Sequence, residues 1–106
     1  MGWATHHIEK LKQGETVAFR PRGGSMSGRI ESGQLCTVEH VTDDAGLRID
    51  DIVLCKAVLC KVKSAEYLHL IKAIQGQRFQ IGNNRGYING WVGANSIYGR
   101  CVRIEP

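Results

Sequence analysis

Tyr67-Leu68-His69-Leu70-Ile71-Lys72-Ala73-Ile74 is the stretch that decides the class of the fold. Its apolar residues recur at a spacing of two, so Leu68, Leu70, Lys72 and Ile74 fall on one face of an extended strand. Three large aliphatic side chains in line mark that face as one turned towards a core. The lysine between them has two choices. Either its methylene stem carries the ammonium out to water, or burial favours the neutral amine, and a neutral amine can act as a base near neutral pH.

Working outward, Gly76-Gln77 reads as a hairpin turn into a short alternating strand, Arg78-Phe79-Gln80-Ile81. Residues 82–86 and 90–95 read as turn-forming loops, and residues 96–104 as a closing strand in which Gly99 marks a bulge. Upstream, residues 61–66 form a charged connection, and residues 51–58 are a nearly continuous apolar strand of the kind covered on both faces. A polar turn at 42–46 separates it from an alternating strand at 34–41. A further strand at 16–20 stops at Pro21. The one helical pattern is at residues 3–12, where Ala4, Ile8 and Leu11 recur on one face, Gly14 ends the run, and Trp3 is the natural docking anchor. The expected class is therefore mainly β, a coiled or barrel-like antiparallel sheet with one short N-terminal helix. The chain reads as a single domain, with the helix in residues 1–14 and the β body in residues 15–106.

A chain of 106 residues, 42% of them apolar and 23% charged, has ordinary globular composition. Its longest apolar runs fall far below the roughly 20 residues that span a bilayer. No basic, apolar and cleavable N-terminal series signals export, so the expected location is the cytoplasm and no membrane partner is expected. Cys36, Cys55, Cys60 and Cys101 form no CxxC and read as structural thiols. His6-His7 are adjacent and diverge on a helix, so no metal site is expected, nor any other cofactor. The net charge of +4 is uneven, with Arg78, Arg85, Arg100 and Arg103 unaccompanied by acids between residues 76 and 104. These arginines offer a nucleic-acid reading, but the aromatic interleaving of a strand-binding platform is thin and a solvated face is favoured. A homodimer stays open.

Chemistry concentrates in Gly23-Gly24-Ser25-Met26-Ser27-Gly28-Arg29-Ile30-Glu31-Ser32-Gly33. Glycines around a single hydroxyl suit a turn that holds Oγ up to an approaching chain, although a flexible connector has the same composition. A serine needs a base to become nucleophilic. His6, His7, His40 and His69 sit in no loop context of a catalytic histidine, whereas Lys72 on its aliphatic face meets the burial requirement of a serine-lysine dyad.

Ser25-Met26 after glycines, Arg29-Ile30-x-Ser32-Gly33, Asp51-Ile52-Val53, Leu70-Ile71-Lys72-x-x-Ile74 and Gly82-Asn83-Asn84 follow in an order that resembles the serine-lysine peptidases. This superfamily comprises the C-terminal domains of LexA-type repressors and the bacterial signal peptidases. The series covers residues 16–104. The resemblance implies Ser25 as nucleophile, Lys72 as general base, the backbone N–H groups of Gly24 and Ser25 as the oxyanion hole, and Met26, Arg29, Asn83 and Asn84 as lining residues. Three positions depart from the family pattern: Ser27-Gly28 near the methionine, Ala73 after the lysine, and Asn83 in the late glycine motif. The implied activity is hydrolysis of a peptide or protein substrate through an acyl-enzyme. Only 24 residues precede Ser25, and they contain no Ala-Gly or Cys-Gly pair, so cleavage in trans is expected over self-cleavage. The alternative is a catalytically silent binding module of phage or mobile-element origin on the same fold.

Overall fold

The strand expected around Tyr67 is longer than its alternating core. In the computed structural model, which describes residues 3–41, 46–60 and 63–106, it runs from Lys63 to Gln75 as β4. The residues expected to form a charged connection therefore continue the strand from Lys63 onward, because β3 (Ile52–Cys60) pairs with them backbone to backbone. Lys61 and Val62 of that connection lie outside the described residues, as do residues 42–45 of the polar turn and the Cys60 side chain.

The remaining elements are α1 (Thr5–Lys12), β1 (Val17–Phe19), β2 (Leu35–His40), β5 (Arg78–Gly82), β6 (Ile88–Gly93), a single 3-10 turn at Ala94–Ser96, and β7 (Ile97–Glu105). They form one seven-stranded sheet in the order β1-β2-β7-β3-β4-β5-β6, and every pairing is antiparallel. The mainly β class with one short helix is thus as expected. Strand β6 is not: residues 90–95 read as a loop because Gly90, Gly93 and Asn95 are turn formers, yet pairing of Phe79 with Val92 and Gln80 with Trp91 holds most of that segment extended. Tertiary pairing overrides weak local β propensity.

Helix α1 ends as Gly14 predicts. With φ +85°, Gly14 donates to Leu11 O while Glu15 N reaches Lys10 O, the paired bonds of a Schellman cap. Ala4, Ile8 and Leu11 are buried in a first core together with Met26, Ile30, Cys36, Val38, Ile52, Leu54, Leu68 and Leu70. Val53, Cys55, Ile71, Phe79, Ile81 and Val92 build a second core on the other side of the sheet. Alternate residues of β3 thus enter opposite cores, which is why that strand is apolar throughout. Gly99 serves close packing rather than a bulge of its own: a Cβ there would stand 2.6 Å from Val38 Cγ1 and 3.0 Å from Leu11 Cδ1. The extra residues of β7 fall at Tyr98 and Val102 instead.

Two bulges matter for the site. Register shifts between Ile71 and Ala73, so Lys72 is the extra residue of β4, and between Ile81/Gly90 and Gly82/Ile88, so Asn89 is the extra residue of β6. The common face expected for Leu68, Leu70, Lys72 and Ile74 is broken there, and Ile74 is exposed at 38%. No described helix is long and apolar enough to cross a membrane.

Candidate active site

The glycine-rich segment folds as a series of turns that pins its middle residue in place. Met26 is buried in the first core, and its carbonyl accepts from Arg29 N at 2.9 Å and Ile30 N at 2.8 Å. Around it, Gly23 N donates to Ser32 Oγ at 3.1 Å, Gly28 N to Glu31 Oε2 at 2.8 Å, and Gly33 N to Pro21 O at 2.9 Å. Gly28 has φ +95°, a conformation that favours glycine. With the residue after it anchored in the core, Ser25 stands exposed at the wall of a cleft of about 780 Å³. Neither Gly24 N–H nor Ser25 N–H donates to another protein group among the described residues.

The base beside Ser25 is a histidine. Ser25 Oγ lies 3.3 Å from His69 Nε2, and His69 Nδ1 lies 2.7 Å from Asn89 Oδ1. A carboxamide oxygen only accepts, so Nδ1 carries the proton and Nε2 presents its lone pair to the serine hydroxyl. His69 is only 7% exposed, and its ring stacks on Tyr67 at a centroid distance of 4.8 Å. Burial lowers the imidazole pKa below its ordinary value of 6.5, while the hydrogen bond to Asn89 pulls it partly back up. The neutral form needed in a base is therefore favoured at neutral pH. The 3.3 Å contact is long for a hydrogen bond, as is common before substrate is bound.

Lys72, expected in this role, is not part of the cleft wall. Its Cγ lies 3.1 Å from where a Cβ on Gly82, the partner of Leu70, would stand, and the residue that the bulge takes off the shared face is Ile74. His69 carried a signal in the sequence that its strand context obscured: a polar ring between two buried leucines needs partners. Asn89 carried none, since only the β6 bulge turns it towards His69.

Of the expected lining residues, Met26 and Asn83 border the cleft, whereas Arg29 and Asn84 do not. Arg29 reaches away to Asp50 O at 3.1 Å. Asn84 ties the nucleophile turn to the β5–β6 loop, its N–H donating to Ser25 O at 3.0 Å and its Nδ2 to Ser27 O at 2.7 Å. Asn83 closes that loop on itself: Oδ1 accepts from Arg85 N and Tyr87 N at 2.8 and 3.0 Å. The two asparagines thereby couple the frame that holds Ser25 to the loop that leads into Asn89.

Cys36, Cys55 and Cys101 do not border the cleft. Burial pushes Cys55 up to about 12 and Cys36 to about 11, far from the thiolate range. No protein-family model, curated protein or solved structure matches this chain. The chemistry therefore has to be read from the side chains themselves. A hydroxyl, an imidazole with its acceptor nitrogen towards that hydroxyl, and a carboxamide fixing the tautomer form the constellation of nucleophilic acyl transfer.

Proposed function

We propose that this protein is a serine peptidase-like hydrolase in which Ser25 is the nucleophile, His69 the general base and Asn89 the group that orients the imidazole. The observation that carries the reading is the Ser25 Oγ–His69 Nε2–Asn89 Oδ1 relay. As Oγ attacks the scissile carbonyl carbon, its proton passes to Nε2, and the resulting imidazolium keeps its Nδ1–H on Asn89. The carbonyl oxygen becomes an oxyanion facing the Gly24 and Ser25 N–H groups, which have no other partner among the described residues. Such donors are worth about 3 kcal/mol each in comparable sites. Nε2 then protonates the leaving amine, the C–N bond breaks, and a water activated by the same nitrogen hydrolyses the acyl ester.

Two strand edges support an extended peptide as substrate. β1 lies at the sheet edge and leads into the cleft through Phe19, Arg20 and Pro21, while β4 pairs with β5 only from Leu70 onward. Glu66, Tyr67, Leu68 and His69 therefore border the cleft along an edge on which no strand is paired. A peptide laid between these edges would gain main-chain hydrogen bonds and bring its carbonyl to Ser25. The order of the sequence motifs supports a fold of the LexA C-terminal and signal-peptidase type, with a histidine in place of the family's lysine as base.

The test is covalent. Incubation with a small fluorophosphonate is expected to add one phosphonyl group, localised to Ser25 by tandem mass spectrometry, with none on the Ser25→Ala protein. Absence of Ser25 labelling in the wild type, together with no cleavage of a diverse peptide library, overturns the reading.

A further inference from the structure

The cleft has a second group of lining side chains that the acyl-transfer residues do not use. Trp3, just before α1, and His7, in its first turn, meet Phe19 of β1. The His7 and Phe19 rings stack at 4.4 Å and 24°, and the Trp3 ring lies 5.5 Å from Phe19 at 58°. All three residues line the same cleft as Ser25 and His69. The helix does not need them to dock. Its anchors are Ala4, Ile8 and Leu11, all in the first core, whereas Trp3 remains 52% exposed and His7 is half-buried. Aromatic rings held in mutual contact, turned into a cleft and left open on one side present a face of fixed geometry to a ligand at low entropic cost.

We propose that Trp3, His7 and Phe19 form a specificity subsite that takes one large apolar side chain, preferentially aromatic, of the bound peptide several residues from the scissile bond. The inference rests on the peptide reading of the cleft given above. Phe19 lies at the end of β1 and Ser25 in the glycine-rich turns that follow, so the subsite and the nucleophile belong to separate segments of the cleft wall. The occupant is a peptide rather than a free aromatic molecule, because the unpaired edges at Arg20 and at Glu66 to His69 connect the subsite to the nucleophile along one continuous cleft. α1 is then a wall of the binding site as well as a cap on the first core.

The experiment uses the Ser25→Ala protein, which can bind without turnover. Fluorescein-labelled Gly/Ala peptides carrying a single Phe at successive positions are titrated by anisotropy against an all-Gly/Ala control. One Phe position is expected to bind about tenfold tighter than the control, with Leu intermediate. In Ser25→Ala proteins that also carry Trp3→Ala, or Trp3→Ala with His7→Ala, the Phe-to-control ratio is expected to fall towards one. The three core anchors of α1 remain in both, and the melting temperature checks the fold. No preference for Phe at any position, or a preference that survives both substitutions, overturns the subsite. Failure of fluorophosphonate to label wild-type Ser25 counts against the acyl-transfer chemistry instead, and leaves this binding test standing on its own result.

Discussion

The two halves of β4 have different neighbours, and the difference determines which of its side chains can do chemistry. From Leu70 to Gln75 the strand is paired with β5, and the Lys72 bulge sits inside that ladder, beside Gly82. From Glu66 to His69 it is paired only with β3, and its other edge borders the cleft. Lys72 and His69 are three residues apart, both flanked by apolar neighbours. Only the half without a second neighbour brings its titratable group to Ser25. An aliphatic strand face is therefore insufficient to bring a basic side chain to Ser25; the stretch of β4 with no strand paired on its other edge among the described residues is the one that borders the cleft.

The largest expected effect separates the two halves directly. His69→Ala should lower kcat/KM for any cleaved peptide on the order of 10³-fold or more, as removal of a triad base does, whereas Lys72→Ala should stay within about twofold. Steady-state kinetics of the two variants side by side is the measurement. A collapse in Lys72→Ala with activity left in His69→Ala reverses the comparison.

A smaller effect concerns the second partner of His69. Asn89→Ala removes the acceptor that fixes the tautomer and is expected to cost about 10²-fold in kcat. The pH profile adds an independent readout. His69 must be neutral to accept the proton, so kcat/KM should rise with pH through the His69 pKa, with a midpoint below the ordinary 6.5 because burial disfavours the charged ring. The Asn89 bond raises that pKa, so its loss should move the rising limb to still lower pH. A limb at or above 6.5 in the wild type contradicts the buried, neutral imidazole.

The smallest predicted effect is on the junction of the two halves. Gly82 pairs with Leu70, the point where β5 leaves β4, and a Cβ there would stand 2.5 Å from Tyr87 O. Gly82→Ala is expected to destabilise the fold by about 1–3 kcal/mol, seen as a lower midpoint in urea, because backbone has to shift to make room. The shift falls on the loop leading to Asn89, so activity per folded molecule should fall as well. An unchanged midpoint argues that the junction is looser than its contacts indicate.

Much of the sheet was legible in local pattern. Alternation placed most strands, the Gly76-Gln77 hairpin and the Gly14 helix stop within a few residues, because side-chain period and positive-φ glycines are local properties. Strand β6 was hidden because its turn-forming residues are held extended by pairing with β5 alone.

The site divides the same way. The sequence by itself determined that Ser25 sits in a glycine-framed turn anchored by an apolar neighbour, since turn chemistry and hydrophobic burial act over a few residues. Which base meets it was decided only by tertiary structure. A bulge changes the register of everything beyond it without a fixed sequence mark, and two of them, at Lys72 and Asn89, take Ile74 off the face it was expected to share and leave Asn89 Oδ1 2.7 Å from His69 Nδ1. The distance from Ser25 to His69 spans 44 positions in the chain and 3.3 Å in space. The strand pairing of the whole sheet closes that gap.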